Sequence, residues 1–442
     1  VELWPSQLEQ ATLIHERPYV FIAAEMGTGK TAAVISGLVS CRRVLVLCPI
    51  AVGPAWVKQL GLWDGQRKSC LLVEGKDRHL KLAEFARSSG YVILNYDSCW
   101  RPKIAKELLK QDWDAIVLDE SHKVKSPSGR ASRFLAKLGQ AKPKAKRVCM
   151  TGTPCPHSPL DWWGQFRFLD PEVLGGSYTK YRARIANTHP KYPGWVTGFK
   201  KDALEALAAR IKPHVHQVRL DDIISLPDKF HIDVPVILEN QSVYDKLEED
   251  FIAELGGGDA IVATNAMVLT TRLQQVTSGF ISLEGGGYKR FEESKKRAFK
   301  ELVEDIPPGE PIVVFCKFHA DLDACLAVFE ELKIPASELS GRRKQLDSWQ
   351  RGDTLGLVVQ QATGGAGVDC TRSSYCVYYS LSHSLGDFDQ SVARVRRPGQ
   401  SRVCRFYHLV CENTIDRSIY DALSNKRDVV ESVMERLKNG DR

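Results

Sequence analysis

Three short stretches of the chain carry residue types whose spacing could do phosphate chemistry. The first is AEMGTGKT, Ala24 to Thr31, which directly follows the apolar run YVFIAA and opens a stretch of helical period. Gly27 and Gly29 would let backbone N–H groups approach phosphate oxygens, while a helix N-terminus favours negative charge. Lys30 could then reach the β- and γ-phosphates and the Thr31 hydroxyl could hold Mg²⁺, with Met26 and Thr28 completing the loop. The second stretch is DAIVLDESHK, in which four apolar residues lead to Asp119 and Glu120. At the carboxyl end of a parallel strand such a pair faces a ligand bound over the sheet edge, so Asp119 can hold Mg²⁺ and Glu120 can polarise an attacking water. The third is DQSVARVRRPGQ, Asp389 to Gln400. On a helix turning about 100° per residue, Gln390, Arg394 and Arg397 share one face and Arg396 points away from it.

These groups need strands that end together. Short β-branched runs, YVFIAA, RVLVLCP, YVILNY, DAIVLDE and KRVCMTGTP, alternate with stretches of helical period such as TAAVISGLV and KDALEALAARI. The pattern restarts after about residue 230 with PIVVFCKF, GLVVQQA, YCVYYS and RVCRFYHLV. Strands alternating with helices imply parallel sheets covered by helices, so an α/β protein of two tandem lobes is expected. The boundary is placed at 225/226, beside Pro227, giving lobes 1–225 and 226–442. A helical insertion is expected at about 170–219 in the first lobe and another at about 240–300 in the second. Trp162 and Trp163, spaced with Phe166 and Leu169, read as the apolar face of a helix.

A chain of 442 residues suits two or three domains, and 43% hydrophobic with 26% charged residues is the composition of a soluble globular protein. No apolar run approaches the roughly 18 to 20 residues that span a bilayer, so no membrane partner is expected. The net charge of +7 is only a weak hint of a polyanionic partner. The 12 cysteines include no C-x-x-C pair, and Cys48, Cys149, Cys316, Cys370 and Cys404 sit beside apolar runs as buried free thiols would. No structural zinc is expected.

AEMGTGKT, DESH and MTGTP, followed by TGGAGVD and the Gln390 to Gln400 stretch, stand in the order of the motifs of superfamily-two helicase-like ATPases. LWPSQ, VLVLCPIAVGPAWVKQL, MTGTPCPHSPLDWWGQFRFLDP, VRLDDIISLPDK and R-x-x-R-x-G-Q are more specific. With them the chain resembles the SWI/SNF-type branch of double-stranded DNA translocases over about residues 3–423. The resemblance implies two RecA-like lobes, ATP and Mg²⁺ in a cleft between them, and double-stranded DNA across both. Gln7 matches the adenine-reading glutamine, Thr151 and Thr153 the motif coupling nucleotide to DNA, and Gly364, Gly365 and Gly367 the loop of the second lobe. Asp369 falls where relatives approach the ribose, and Arg394 and Arg397 match arginines that reach the γ-phosphate from the second lobe. The chain departs from the family at Ala24, Thr28, His157, Asp369 and Arg396, where Asp, Leu, Asn, Asn and His are usual. None of these removes a group needed for phosphoryl transfer.

A translocase grips phosphates rather than reading bases. Expected DNA contacts are Trp56 and Lys58, Lys123 and Lys125 after DESH, Thr151, Lys317, Arg342 and Arg343, and the loop glycines Gly364 and Gly365. The expected activity is DNA-dependent ATP hydrolysis by a monomer that moves on duplex DNA, including forked or branched DNA, and remodels protein–DNA complexes. It would work in the cytoplasm on the nucleoid if bacterial or viral, and in the nucleus if eukaryotic. Two alternatives stay open: a strand-separating DNA or RNA helicase, and a nucleotide-gated DNA-binding module with little turnover.

Overall fold

The computed structural model describes residues 2–64, 69–85, 88–188, 196–255, 262–283, 285–361 and 368–424. They fall into two compact units that divide between Ser225 and Leu226. Each is built on one parallel sheet.

In the first unit the strands are β1 Tyr19–Ala24, β2 Arg43–Cys48, β3 Ser69–Leu72, β4 Gly90–Asn95, β5 Ala115–Asp119 and β6 Lys146–Thr151. A small antiparallel hairpin, β7 Ala186–Thr188 with β8 Val196–Phe199, lies outside the sheet, and β9 Val215–Val218 rejoins it. The order is β3-β4-β2-β5-β6-β1-β9. The residues of β1 alternate between two cores, as both faces are covered. Phe21 and Ala23 face one core with Leu45, Leu118, Trp162 and Phe166, whereas Val20, Ile22 and Ala24 face the other with Val46, Val117 and Trp56. Parallel register brings the functional ends level, with Ala23 beside Thr151 and Asp119 beside Met150.

The second unit holds β10 Lys229–Val236, the antiparallel pair β11 Phe280–Ser282 and β12 Tyr288–Arg290, then β13 Ile312–Cys316, β14 Ala336–Leu339, β15 Gly356–Gln360, β16 Tyr375–Tyr378 and β17 Cys404–Cys411. Its parallel sheet has the order β10-β17-β16-β13-β15-β14.

The two segments expected as helical insertions are more mixed than that. Between 170 and 219 the helices Pro171–Leu174, Tyr178–Ile185 and Lys201–Ile211 share the space with the β7–β8 hairpin, and the segment finishes as edge strand β9. Between 240 and 300 the helices Gln241–Leu255 and Val262–Thr277 and the β11–β12 hairpin precede the helix Ser294–Asp305. Phe299, Leu302 and Val303 of that last helix belong to the main core. All 12 cysteines are free thiols, and only Cys70 is exposed. No helix among the described residues is long and apolar enough to cross a membrane.

Candidate active site

The phosphate loop follows β1 and ends at the helix Lys30–Gly37. Its turn needs glycine twice, at Gly27 with φ 85° and Gly29 with φ 75°. At Gly29 there is a second reason, because a Cβ would stand 2.0 Å from Gln7 Nε2. Gln7 is nearly buried above the loop, accepts the Trp4 backbone N–H at 2.9 Å and donates to the Thr28 carbonyl at 3.2 Å. Thr28 is itself buried and donates to the Glu25 carbonyl, while Met26 is half-buried. Lys30 Nζ donates to the carbonyls of Ala24 at 2.8 Å and Glu25 at 3.0 Å. Burial lowers its pKa, against the opposing pull of Glu120, Asp119 and Glu25, which places the ammonium within the field of all three carboxylates. Thr31 is half-buried in the first turn of the helix, where backbone N–H groups lack helical partners.

Asp119 ends β5. Its Oδ2 accepts the Trp56 indole N–H at 2.7 Å, and its carbonyl accepts the Tyr96 hydroxyl at 2.8 Å. Burial, reinforced by Glu120, raises the Asp119 carboxyl to about 7 in spite of Trp56 and Lys30. Glu120 has a left-handed backbone, φ 53°, an uncommon conformation for a side chain of this size. Burial alone would raise its pKa, yet hydrogen bonding to His122, the charges of His122 and Lys30, and a bond from Thr151 hold it down. Thr151 donates to Glu120 Oε2 at 2.9 Å, lies 3.0 Å from His122 Nδ1, and accepts the Thr153 N–H at 3.1 Å. The two acids are thus separated by environment, one biased toward its proton and one toward its charge.

Several of the expected DNA contacts are buried or already engaged within the protein. Trp56 and Thr151 were expected at DNA, but 1% and 0% of their surface is exposed and their polar atoms serve Asp119 and Glu120. Lys317 is turned inward, with Nζ on Gln274 Oε1, and burial lowers its pKa. Arg342 is engaged by Asp323 at 2.6 Å and Glu338 at 3.0 Å. Lys58, Lys123 and Arg343 are exposed, and Lys125 is half-buried. Gly364, Gly365 and Gly367 lie outside the described residues. From Ser121 to Leu160 the chain has no Asp or Glu, while Lys123, Arg130, Arg133, Lys137 and Lys144 of that stretch are exposed.

The shared helical face of Gln390, Arg394 and Arg397 holds only for the first two. The helix Leu385–Val395 stops short of Arg397, because Pro398 disfavours helical backbone at the residue before it and lacks an N–H. Arg397 is half-buried in the following turn, with Nη1 3.5 Å from the Val368 carbonyl. Arg394 is buried, burial lowers its pKa, and its Nη1 has no hydrogen-bond partner among the described residues. Gln390 is half-buried, and Asp369 Oδ1 accepts the backbone N–H and hydroxyl of Thr371. Arg396, which had no assigned role, donates to the Pro227 carbonyl at 2.8 Å. Gln400 Nε2 gathers the carbonyls of Thr371, Ser373 and Val395 and so locks the turn that carries Arg397.

Two domain matches cover the same ground. An SNF2-related domain matches residues 15–278, and a helicase conserved C-terminal domain matches residues 294–399. The chain belongs to the SNF2-related family. It is a helicase-like ATPase of SNF2 type. Among its relatives, protein p41 of Acyrthosiphon pisum secondary endosymbiont phage 1 is 26% identical over 94% of each chain. Human ZRANB3, a DNA annealing helicase and endonuclease, is 24% identical over 94% of this chain but only 39% of its own length. A Sulfolobus solfataricus SWI2/SNF2 ATPase core, solved in complex with dsDNA, matches 98% of this chain and 93% of its own at 22% identity and a TM-score of 0.47.

One more buried side chain lies between the segments that carry Glu120 and Thr153. Gln165, fully buried in the helix Asp161–Leu169, binds the residue after Glu120 and the residue after Thr153. A single glutamine among aromatic residues forms no motif, so nothing in the sequence singles it out.

Proposed function

We propose that this protein is an ATP-driven motor on double-stranded DNA that remodels protein–DNA complexes or forked and branched DNA. The observation that carries the reading is the hydrogen bond from Thr151 to Glu120, with His122 and Thr153 attached to the same hydroxyl. It joins the carboxylate that would activate water to the TGTP loop, so that a ligand acting on that loop can alter hydrolysis.

The roles divide as follows. Gln7, Gly27, Gly29 and Lys30 hold the nucleotide, and Glu120, kept ionised, orients and polarises the attacking water. Thr31 and Asp119 offer hard oxygen donors that suit Mg²⁺, which when bound neutralises charge on the phosphates. Arg394 and Arg397 stabilise charge developing on the γ-phosphate. The buried Nη1 of Arg394, without a partner among the described residues, supports a guanidinium kept for an anion. The acid-free stretch after Ser121, with its exposed Lys and Arg, supports a polyanionic track, and binding should weaken steeply with salt. Forked DNA is included because one relative carries the name of a DNA annealing helicase.

The test is the ATPase rate with linear duplex, single-stranded DNA, forked DNA and RNA, with Lys30→Ala as the inactive control. Duplex and forked DNA are expected to stimulate most. Equal stimulation by RNA and duplex DNA would defeat the substrate assignment, and absence of turnover with every nucleic acid would favour a nucleotide-gated binding module.

A further inference from the structure

The helix Asp161–Leu169 is seated against the 3-10 turn Ser121–Val124, immediately after the catalytic acids. Gly164 permits that approach, since a Cβ there would lie 2.4 Å from the carbonyl oxygens of both Val124 and Lys125. The next residue, Gln165, has no exposed surface and uses both ends of its amide. Its Nε2 donates to the carbonyls of Pro154 at 2.5 Å and Asp161 at 3.0 Å, and its Oε1 accepts the Ser121 hydroxyl at 2.7 Å. The orientation is forced: two carbonyls can only accept, so the NH₂ end must face them and Ser121 must be the donor.

The partners matter for where they sit. Ser121 adjoins Glu120, and Pro154 adjoins Thr153. One side chain therefore bridges the loop holding the water-activating acid and the TGTP loop that carries Thr151 and Thr153. Neighbouring contacts fix the outer end of the same segment. Asp161 Oδ2 accepts the His157 N–H at 2.8 Å, and the Tyr181 hydroxyl donates to the Pro159 carbonyl at 2.8 Å. Displacement of the TGTP loop thus has two routes to Glu120, the direct one through Thr151 and a second through Gln165 and Ser121.

We propose that Gln165 is a positioning residue that couples the TGTP loop to Glu120, so that nucleic acid acting on the one is felt at the other. This rests on the reading of the protein as a DNA-stimulated ATPase. Gln165→Leu keeps much of the volume and removes both polar ends, and Ser121→Ala removes only the donor. For each, the factor by which duplex DNA stimulates kcat should fall about tenfold, the loss expected when a buried hydrogen-bonded partner is left unpaired. The KM for ATP and the affinity for duplex should stay within about twofold of the parent, since both side chains are fully buried. The double variant should lose no more than the worse single variant, because both changes break one bridge.

A structural role alone would lower the thermal midpoint while leaving stimulation per folded molecule intact, and that result overturns the proposal. Additive losses in the double variant overturn it as well. Should Gln165→Leu not fold, Ser121→Ala carries the same expectation unaided. If the parent protein is not stimulated by any nucleic acid, the functional reading fails together with the coupling. If the parent is stimulated and the variants are stimulated equally, only the coupling fails.

Discussion

Trp56→Phe separates two roles for a residue that the sequence places near DNA and the structure places behind Asp119. Phenylalanine keeps an aromatic plane in the pocket but removes the indole N–H that reaches Asp119 Oδ2 at 2.7 Å. The carboxyl it leaves is buried and already pushed up to about 7 with that bond in place. A hydrogen bond to a charged group contributes about 1.5–3 kcal/mol, so kcat/KM for ATP should fall roughly 10- to 150-fold. Steady-state hydrolysis at saturating duplex, with duplex affinity measured separately by anisotropy, reads both quantities. Affinity for duplex should be unchanged, because the side chain is 1% exposed. A several-fold loss of duplex affinity with normal kcat/KM at saturating DNA would refute the assignment and restore Trp56 as a DNA contact.

Arg397→Ala should lower kcat by about 10³-fold or more while leaving duplex binding intact, as expected for an arginine that acts on transferring phosphate; loss of binding with normal turnover would contradict it. Lys295→Met should destabilise the second unit by about 3–5 kcal/mol in urea unfolding, because it leaves the buried carboxylate of Asp416 without its cation. Burial alone would lower the Lys295 pKa, and the charge of Asp416 and the hydrogen bond to it, together with Cys411 and Asp321, more than reverse that. Asp323 gives a pH test. Burial would raise its pKa, but hydrogen bonds from Arg342 and Tyr288 hold it below the ordinary carboxylate value. Its contribution is therefore present above the unfolded pKa of about 3.9 and is lost as pH falls toward the lower folded value. Arg342→Ala should flatten that acid limb of the stability profile and leave neutral ATPase activity little changed.

The legible parts of the molecule are those in which one physical demand dominates. Strands buried on both faces, β2 and β5 for instance, stand out as unbroken apolar runs, and the phosphate loop is betrayed by glycines that nothing else explains. The edge strands β3, β9 and β10 were not legible. They are short or half-exposed, with polar residues such as His216 and Asp233 inside them, as edges facing solvent tend to be. Spacing misplaced Arg397 because it treats a helix as endless, whereas Pro398 ends this one. Trp56 and Gln165 were illegible for a different reason: the direction of one indole N–H or one amide is decided by partners 63 and 44 residues away.

The contact between Arg396 and Pro227 has a mechanical consequence. On the side of the first unit, Glu25 accepts the Leu220 N–H and the carbonyl of Leu220 holds the N–H of Ile224. On the other side Arg396 grips the Pro227 carbonyl and β10 follows at once. Only Ser225 and Leu226 are left between the two anchorages, a span of three Cα steps, or about 11 Å when fully drawn out. Drawing the two anchorages further apart than that would first break the Leu220 turn or the arginine's hold on Pro227.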